Sequence, residues 1–179
     1  MGRSRQRRIE EVIASEAALL AALLVVALVQ TTLLPRPFDV TFNLLLLLTI
    51  CYGLIAGTTS AARWAFYGGL ALDLCAMTLF GLHALALLAG TVGAIQALLR
   101  LSRDNWLVPV VGVALGSVIY HGVYALLSAL LVAPLDLQGY ALYVLLPDTL
   151  MATIPSLPVY LVFRWYENRV RRSVPVDVY

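Results

Sequence analysis

Six long apolar runs, separated by short polar segments that contain arginine, dominate this chain of 179 residues. A helix that crosses a bilayer needs roughly 20 mostly apolar residues. Six stretches meet or approach that length: 12–34, 40–57, 62–79, 82–99, 106–132 and 140–163. The composition agrees, because 61% of the residues are hydrophobic and only 12% are charged, an apolar excess that a soluble domain of this size cannot bury. The sequence therefore predicts an all-α integral membrane protein with six transmembrane helices.

The positions of the arginines predict the orientation of these helices. All twelve basic residues are arginine, and with the N-terminus in the cytosol only Arg36 falls on the outer side. Cytosolic loops carry the excess of basic residues, and tryptophan prefers the headgroup level, where Trp64, Trp106 and Trp165 would lie beside arginines. We expect three regions: a cytosolic basic N-terminus (1–11), a transmembrane domain (12–163) and a cytosolic basic tail (164–179). The N-terminal arginines either anchor the chain by the usual charge bias or hold anionic lipid headgroups.

Proline is concentrated in the last apolar run. Pro147, Pro155 and Pro158 all lie in the stretch 140–163. Because proline lacks an N–H group and clashes with the turn before it, this helix is predicted to be bent or broken.

Asp73 is the most informative polar residue of the apolar runs. It lies nine residues after Trp64, which places it roughly 13–14 Å into the bilayer if the helix is straight. A carboxylate at that depth is costly, so it should face the bundle interior with a partner. Two interpretations stay open: a contact with a ligand, proton or partner helix, or a hydrogen-bonded lock on the packing of the bundle.

Three more polar residues fall in the outer half of the predicted bundle: His83, His121 and Asp148. His121 and Asp148 have similar predicted depths and could pair. The alternative is that each caps a helix end or meets interfacial water. Their spacing lacks the His-x-x-x-His pattern of a metal site, so no metal is expected.

Small residues at helical spacing define faces on which another helix can approach closely. They are Ala14, Ala18 and Ala22 in the first run, Gly53 and Gly57 in the second, Gly69 beside Asp73 in the third, and Gly112 and Gly116 in the fifth. Such faces serve packing within the chain, contact with a second copy or contact with a partner chain.

Catalytic and nucleic-acid-binding signatures are lacking in the sequence. It contains no phosphate-binding glycine loop, no nucleophile elbow and no paired acids on one helix face. Cys51 and Cys75 both lie in apolar runs, as small buried hydrophobes do. The sequence thus predicts a protein that is not an enzyme and takes neither a cofactor nor a nucleic acid.

The stretch from about residue 30 to residue 100 resembles one family, the bacterial rod shape-determining protein MreD. The resemblance is carried by five motifs in order. They are Gln30-Thr-Thr-Leu-Leu-Pro35, the leucine run from Asn43 to Leu48, Gly53-Leu-Ile-Ala-Gly57, Gly68-Gly-Leu-Ala-Leu-Asp73, and Gly81-Leu-His-Ala-Leu-Ala-Leu-Leu-Ala-Gly90. Asp73 stands at the characteristic acid of the family, whereas Phe42-Asn43 stands where members often have Pro-Asp.

The resemblance implies a non-enzymatic scaffold of the cell-elongation machinery in the bacterial cytoplasmic (inner) membrane. Members bind MreC, a single-span protein, and act with the MreB filament and with RodA and its penicillin-binding protein in lateral peptidoglycan synthesis and rod cell shape. The resemblance also implies a fold similar to the substrate-binding S components of energy-coupling-factor vitamin transporters, which supplies the alternative function. An S component needs a pocket at the outer face, which His83, His121 and Asp148 could line. We expect the transmembrane helix of MreC to dock on a small-residue face, with Asp73 supporting that docking or the bundle behind it.

Overall fold

The computed structural model describes residues 2–33, 43–76, 79–98, 106–132 and 136–172. Within these ranges the chain is helical and contains no strand. The helices are α1 (Gly2–Leu28), α2 (Leu44–Ala56), α3 (Thr58–Ala76), α4 (Leu82–Leu98), α5 (Leu107–Leu131), α6 (Leu137–Tyr140), α7 (Leu146–Thr153) and α8 (Ser156–Arg172). Two wider π-helical turns lie within the same described ranges, Val29–Leu33 after α1 and Ala141–Leu145 between α6 and α7.

Each of the six apolar runs overlaps a helix or, for the last run, the broken series α6–α8. By length and composition, Glu10–Thr32 and Leu107–Leu131 could each cross a membrane. The pair Leu137–Thr153 and Ser156–Arg169 adds a third span if it is counted as one bent helix. Since α2 has 13 residues and α4 has 17, each is shorter than a typical spanning helix. The described chain is thus an all-helical protein with two to three candidate membrane spans.

The predicted break in the last apolar run is confirmed. The two halves of this run meet at an angle of 45° across Ile154 and Pro155. Pro147 lies at the start of α7, directly after the wide turn Ala141–Leu145. Because proline clashes with the preceding turn of a helix, both irregularities lie where a regular α-helix would be strained.

Helix α2 is the centre of the bundle. It contacts α3, α4, α5 and α8, and Leu45, Leu46, Leu47 and Ile50 are fully buried. These positions cover more than half of the circumference of α2, whereas Leu48 on the remaining side is only partly buried. The leucine run therefore forms the protein core.

Helix α1 lies at the edge of the bundle and packs mainly on α3. Leu23 and Ala27 form its buried side, and an ion pair joins the Glu16 Oε1 and Arg63 Nη1 atoms at 2.7 Å. We call the end of the bundle that contains Glu16, Arg63 and Trp64 the basic end. The opposite end, which contains Asp73, His83, His121 and Asp148, is the His–Asp end.

Candidate functional site

Glycines on α2 and α3 are used for packing within the chain. A Cβ atom at Gly53 would overlap the side chains of Ala61 on α3 and Ile95 on α4. A Cβ atom at Gly69 would overlap the Cα atom of Ala84 and lie 2.7 Å from its backbone nitrogen. These glycines let α3 approach α2 and α4 closely, so neither position has room for another helix.

Two glycines of α5, Gly112 and Gly116, also face the bundle. A Cβ atom at Gly112 would lie 3.0 Å from Leu98, and one at Gly116 would lie 3.2 Å from the carbonyl oxygen of Gly90. Gly57 has a different role, because it ends α2 with a φ of +93° and has open space where a Cβ would be. A positive φ is a conformation that glycine adopts without steric cost, so Gly57 makes the turn from α2 into α3.

The alanine ladder of α1, formed by Ala14, Ala18 and Ala22, faces away from the bundle, unlike the buried glycines. Ala14, Ala18 and Ala22 are all exposed, whereas Leu23 and Ala27 on the other side of the helix are buried against the bundle. The described residues therefore leave one of the predicted small-residue faces open on the outside of the protein. Close approach of a second helix requires such a face.

At the His–Asp end, Asp148 connects three helices. Its side chain is fully buried; Oδ2 lies 2.7 Å from the Nε2 atom of His121 on α5, and Oδ1 accepts a hydrogen bond from the backbone N–H of Asn43 at 3.0 Å. The Asn43 side chain in turn accepts a hydrogen bond from the backbone N–H of Leu46 and caps the N-terminus of α2. One carboxylate thus holds α7, α5 and the start of α2 together.

The other ring nitrogen of His121 extends this connection to Tyr140. The Nδ1 atom lies 2.8 Å from the Tyr140 hydroxyl oxygen. A carboxylate can only accept, so Nε2–H donates to Asp148, and in the neutral ring Nδ1 accepts the hydroxyl proton of Tyr140. Each polar group in this chain of contacts has a partner, which is the condition under which buried polar groups stabilise a fold.

His83 belongs to the same cluster through two tyrosines of α5. Its Nδ1 atom lies 2.8 Å from the Tyr120 hydroxyl oxygen, and its ring stacks on Tyr124 with centroids 4.9 Å apart. The Tyr120 ring meets the ring of His121 edge to face at 5.0 Å. The structure therefore brings together all three polar residues that the sequence assigned to the outer half, although His83 contacts the other two through Tyr120.

Asp73 binds the backbone at the start of α4. Its side chain is 3% exposed; Oδ1 accepts from the N–H of His83 at 2.8 Å, and Oδ2 accepts from the N–H groups of Gly81 at 2.8 Å and Ala84 at 3.3 Å. The first N–H groups of a helix have no partner within the helix, and a carboxylate supplies one. Asp73 lies one turn before the end of α3 rather than at its middle. Asp73 on α3 thus caps the N-terminus of α4 and holds the two helices together.

Sequence reasoning missed the tyrosines and Asn43. Tyr120 and Tyr124 are four residues apart on the helix that carries His121, a spacing that places side chains on neighbouring positions of one helix surface. The spacing of the two tyrosines beside His121 was therefore a signal that the sequence contained. The contact between Asn43 and Asp148 joins residues 105 positions apart, and no local pattern marks it.

Chemically, the cluster is suited to holding helices in place. The tyrosine, histidine and aspartate side chains bind one another or the backbone. Across the described ranges, no group of three or more His, Cys, Asp and Glu residues could hold a metal ion.

Comparison of the chain with protein-family models, curated proteins and solved structures finds no match.

Proposed function

We propose that this protein is a non-enzymatic membrane scaffold of the bacterial cell-elongation machinery, similar to MreD, which binds the transmembrane helix of MreC on the alanine ladder of α1. The observation that carries the proposal is the exposure of Ala14, Ala18 and Ala22. Packing of helices in a membrane depends on small residues that let two backbones come close. The glycine faces at Gly53, Gly69 and the α5 pair are occupied by the bundle's own helices, whereas this face is free to receive another chain.

The scaffold spans the bacterial cytoplasmic membrane six times, with both termini in the cytosol. Arg63, Arg164 and Arg169 support this orientation, because all three lie toward the basic end, where the positive-inside rule places the cytosol. The shortness of α2 is compatible with six spans, because most of α2 is buried by the surrounding helices. Only lipid-facing segments have to match the thickness of the hydrocarbon layer.

Binding of MreC gives the protein its place in the machinery. With the MreC helix bound to α1, the bundle positions MreC beside the MreB filament and the RodA–penicillin-binding-protein synthase, so that lateral peptidoglycan synthesis maintains rod shape. The buried links of Asp73 and Asp148 keep α3, α4, α5 and α7 in one arrangement. A scaffold needs such rigidity because its binding face is useful only when it is presented in a fixed geometry.

A second candidate function rests on the aromatic cluster at the His–Asp end. His83, Tyr124 and Tyr140 are only partly buried, and stacked aromatic rings beside histidines are suited to binding a flat small molecule. An S component of a vitamin transporter would place its ligand at this end. The mutual hydrogen bonds of the cluster favour the scaffold, because a ligand would have to replace partners that are already present.

The test is purification of the full chain in mild detergent with the MreC homologue of the same genome, followed by native mass spectrometry. The scaffold predicts a complex of fixed stoichiometry that carries no vitamin-sized ligand. Failure to capture MreC, together with retention of a vitamin-sized mass, would refute the scaffold and support the S component.

A further inference from the structure

Helix α7 lies between two interruptions of the backbone hydrogen-bond pattern. Before it, the wide turn Ala141–Leu145 is followed by Pro147 in the first turn of α7, and after it the chain bends by 45° across Ile154 and Pro155. A proline has no N–H group to donate to the preceding turn, and sharp helix bends occur at prolines and at π-helical turns. Hinges are a few residues at the ends of such elements. Both ends of α7 therefore have the backbone features of a hinge.

Apolar packing holds α7 against the bundle only weakly. Leu146 and Leu150 are exposed, Pro147 and Met151 are partly buried, and Ala152 is the fully buried apolar residue of this helix. Exposed leucines on a membrane helix face lipid, and they still face lipid after the helix moves outward. Because lipid tails are as apolar as leucine, helices in a membrane gain little from apolar burial. Outward movement of α7 therefore removes little apolar burial.

Side-chain hydrogen bonds hold α7 in place along α5. The Nε2 atom of His121 lies 2.7 Å from the Oδ2 atom of Asp148. One turn away on α5, the hydroxyl oxygen of Ser117 lies 2.9 Å from that of Thr149. Ser117, His121 and Asp148 are buried, and Asp148 also accepts a hydrogen bond from the backbone N–H of Asn43. These contacts join α7 to its neighbours, so they break together when α7 moves outward.

We propose that α7 is a gate, hinged at the 45° bend before α8 and held closed by the pairs Asp148–His121 and Thr149–Ser117. Movement of α7 away from α5 opens the seam between these two helices to water and small polar solutes from the His–Asp end. The groups that it uncovers are the side chains of Ser117, His121 and Asp148, which the closed bundle keeps from solvent.

The open state of the gate is wet and sparsely populated. Polar groups left unpaired among lipid tails are costly, so the pairs separate only where water replaces the lost partners. The closed state keeps these hydrogen bonds, so most molecules are closed and the bundle retains the fixed arrangement that a scaffold needs. Since α1 packs mainly on α3, opening of the gate and docking of MreC concern different parts of the bundle.

The experiment measures how fast a buried cysteine reporter reacts with a small water-soluble methanethiosulfonate reagent, using the full chain in mild detergent. Cys51→Ala and Cys75→Ala first remove both native cysteines. The reporter in the seam is Ala152→Cys, because Ala152 is fully buried and lies one turn from Asp148 on α7. The reference reporter, in a separate chain, is Ala71→Cys, because Ala71 is fully buried on α3, which packs on α1, α2 and α4. The reporter in the seam should react faster than the reference.

Two variants break the same pair from opposite sides. Thr149→Val and Ser117→Ala each remove one hydroxyl group of the pair. Each should raise the labelling rate of Ala152→Cys about threefold to tenfold, the range that one hydrogen bond between membrane helices contributes. At low reagent concentration this rate follows the open fraction. Thr153→Val is the matched control and should leave the rate unchanged, because the Thr153 hydroxyl donates to the carbonyl oxygen of Thr149 within α7.

Any one of three results overturns the gate. The first is an equal labelling rate for Thr149→Val and Thr153→Val. The second is an equal rise at the Ala71→Cys reporter, which would mean that the whole bundle loosens rather than that α7 moves. The third is labelling of Ala152→Cys as slow as that of Ala71→Cys in every variant, which would mean that α7 stays closed. Since none of these measurements includes MreC, they test the gate separately from the scaffold.

Discussion

Replacing Asp148 with alanine removes the buried carboxylate that connects α7 with α5 and α2. The substitution leaves two buried donors without an acceptor, the backbone N–H of Asn43 and the Nε2–H of His121. Each orphaned donor costs about 1–3 kcal/mol, and breaking a buried pair from one side costs about 3–5 kcal/mol. We expect Asp148→Ala to lose about 3–5 kcal/mol of unfolding free energy, which for a chain of this length lowers Tm by roughly 6–20 °C.

The asparagine variant separates hydrogen bonding from charge. Asp148→Asn keeps an oxygen for the Asn43 N–H group and presents an amide N–H to His121. The other neutral tautomer of His121 accepts that proton at Nε2 and donates from Nδ1 to the Tyr140 oxygen. Because both hydrogen bonds can re-form, Asp148→Asn should lose only about 0.5–1.5 kcal/mol.

The assay is thermal unfolding of purified protein in mild detergent. Unfolding is monitored by tryptophan fluorescence and by the fraction of protein that still elutes as a monodisperse peak in size-exclusion chromatography after heating. Leu150→Ala is the control, because Leu150 lies on the same helix and is 66% exposed; it should change stability by less than about 0.5 kcal/mol. A double-mutant cycle with His121→Ala should give a coupling energy of about 1–3 kcal/mol. Unfolding of Asp148→Ala within about 2 °C of the wild type would refute the reasoning, because that shift corresponds to less than about 1 kcal/mol.

Two further substitutions test the packing between α3 and α4. Asp73→Asn should lower the free energy of unfolding by about 1–3 kcal/mol, because its amide NH₂ group would face backbone N–H groups that now donate to the carboxylate. If the variant has the Tm of the wild type and captures MreC equally well, the role given to Asp73 is wrong. Gly69→Ala should cost at least about 1–3 kcal/mol, because the added methyl group meets the backbone of Ala84. Gly122→Ala is the control, because a Cβ atom there has open space; it should stabilise the protein by about 0.4–1 kcal/mol. Equal Tm values for the Gly69 and Gly122 variants would contradict the close contact between Gly69 and Ala84.

The order of the helices and the break at Pro155 could be predicted from the sequence, because apolar length and proline act locally. The buried state of Asp73 was also predictable from the cost of a carboxylate among apolar residues. Its partners were not, since they are backbone N–H groups of the next helix, presented by the turn at Gly81.

The difference between the alanine ladder and the glycine faces could not be read from the sequence either. Ala14–Ala18–Ala22 and Gly112–Gly116 have the same four-residue spacing, and the spacing predicts only that a helix can approach closely. Which face is open depends on the position of each helix in the bundle. The edge position of α1 and the interior position of Gly112 and Gly116 result from contacts between distant parts of the chain.

Capture of MreC by two leucine variants of α1 tests the proposed docking face most directly. Ala18→Leu places a large side chain in the middle of the ladder, whereas Ala17→Leu makes the same change at an exposed position about 100° around the helix. Overpacking of a close helix contact costs about 1–3 kcal/mol, so Ala18→Leu should bind the MreC transmembrane helix about 5- to 150-fold more weakly. Ala17→Leu should bind it like the wild type, and both variants should unfold at the wild-type temperature. Equal capture by the two variants would contradict docking on the alanine ladder.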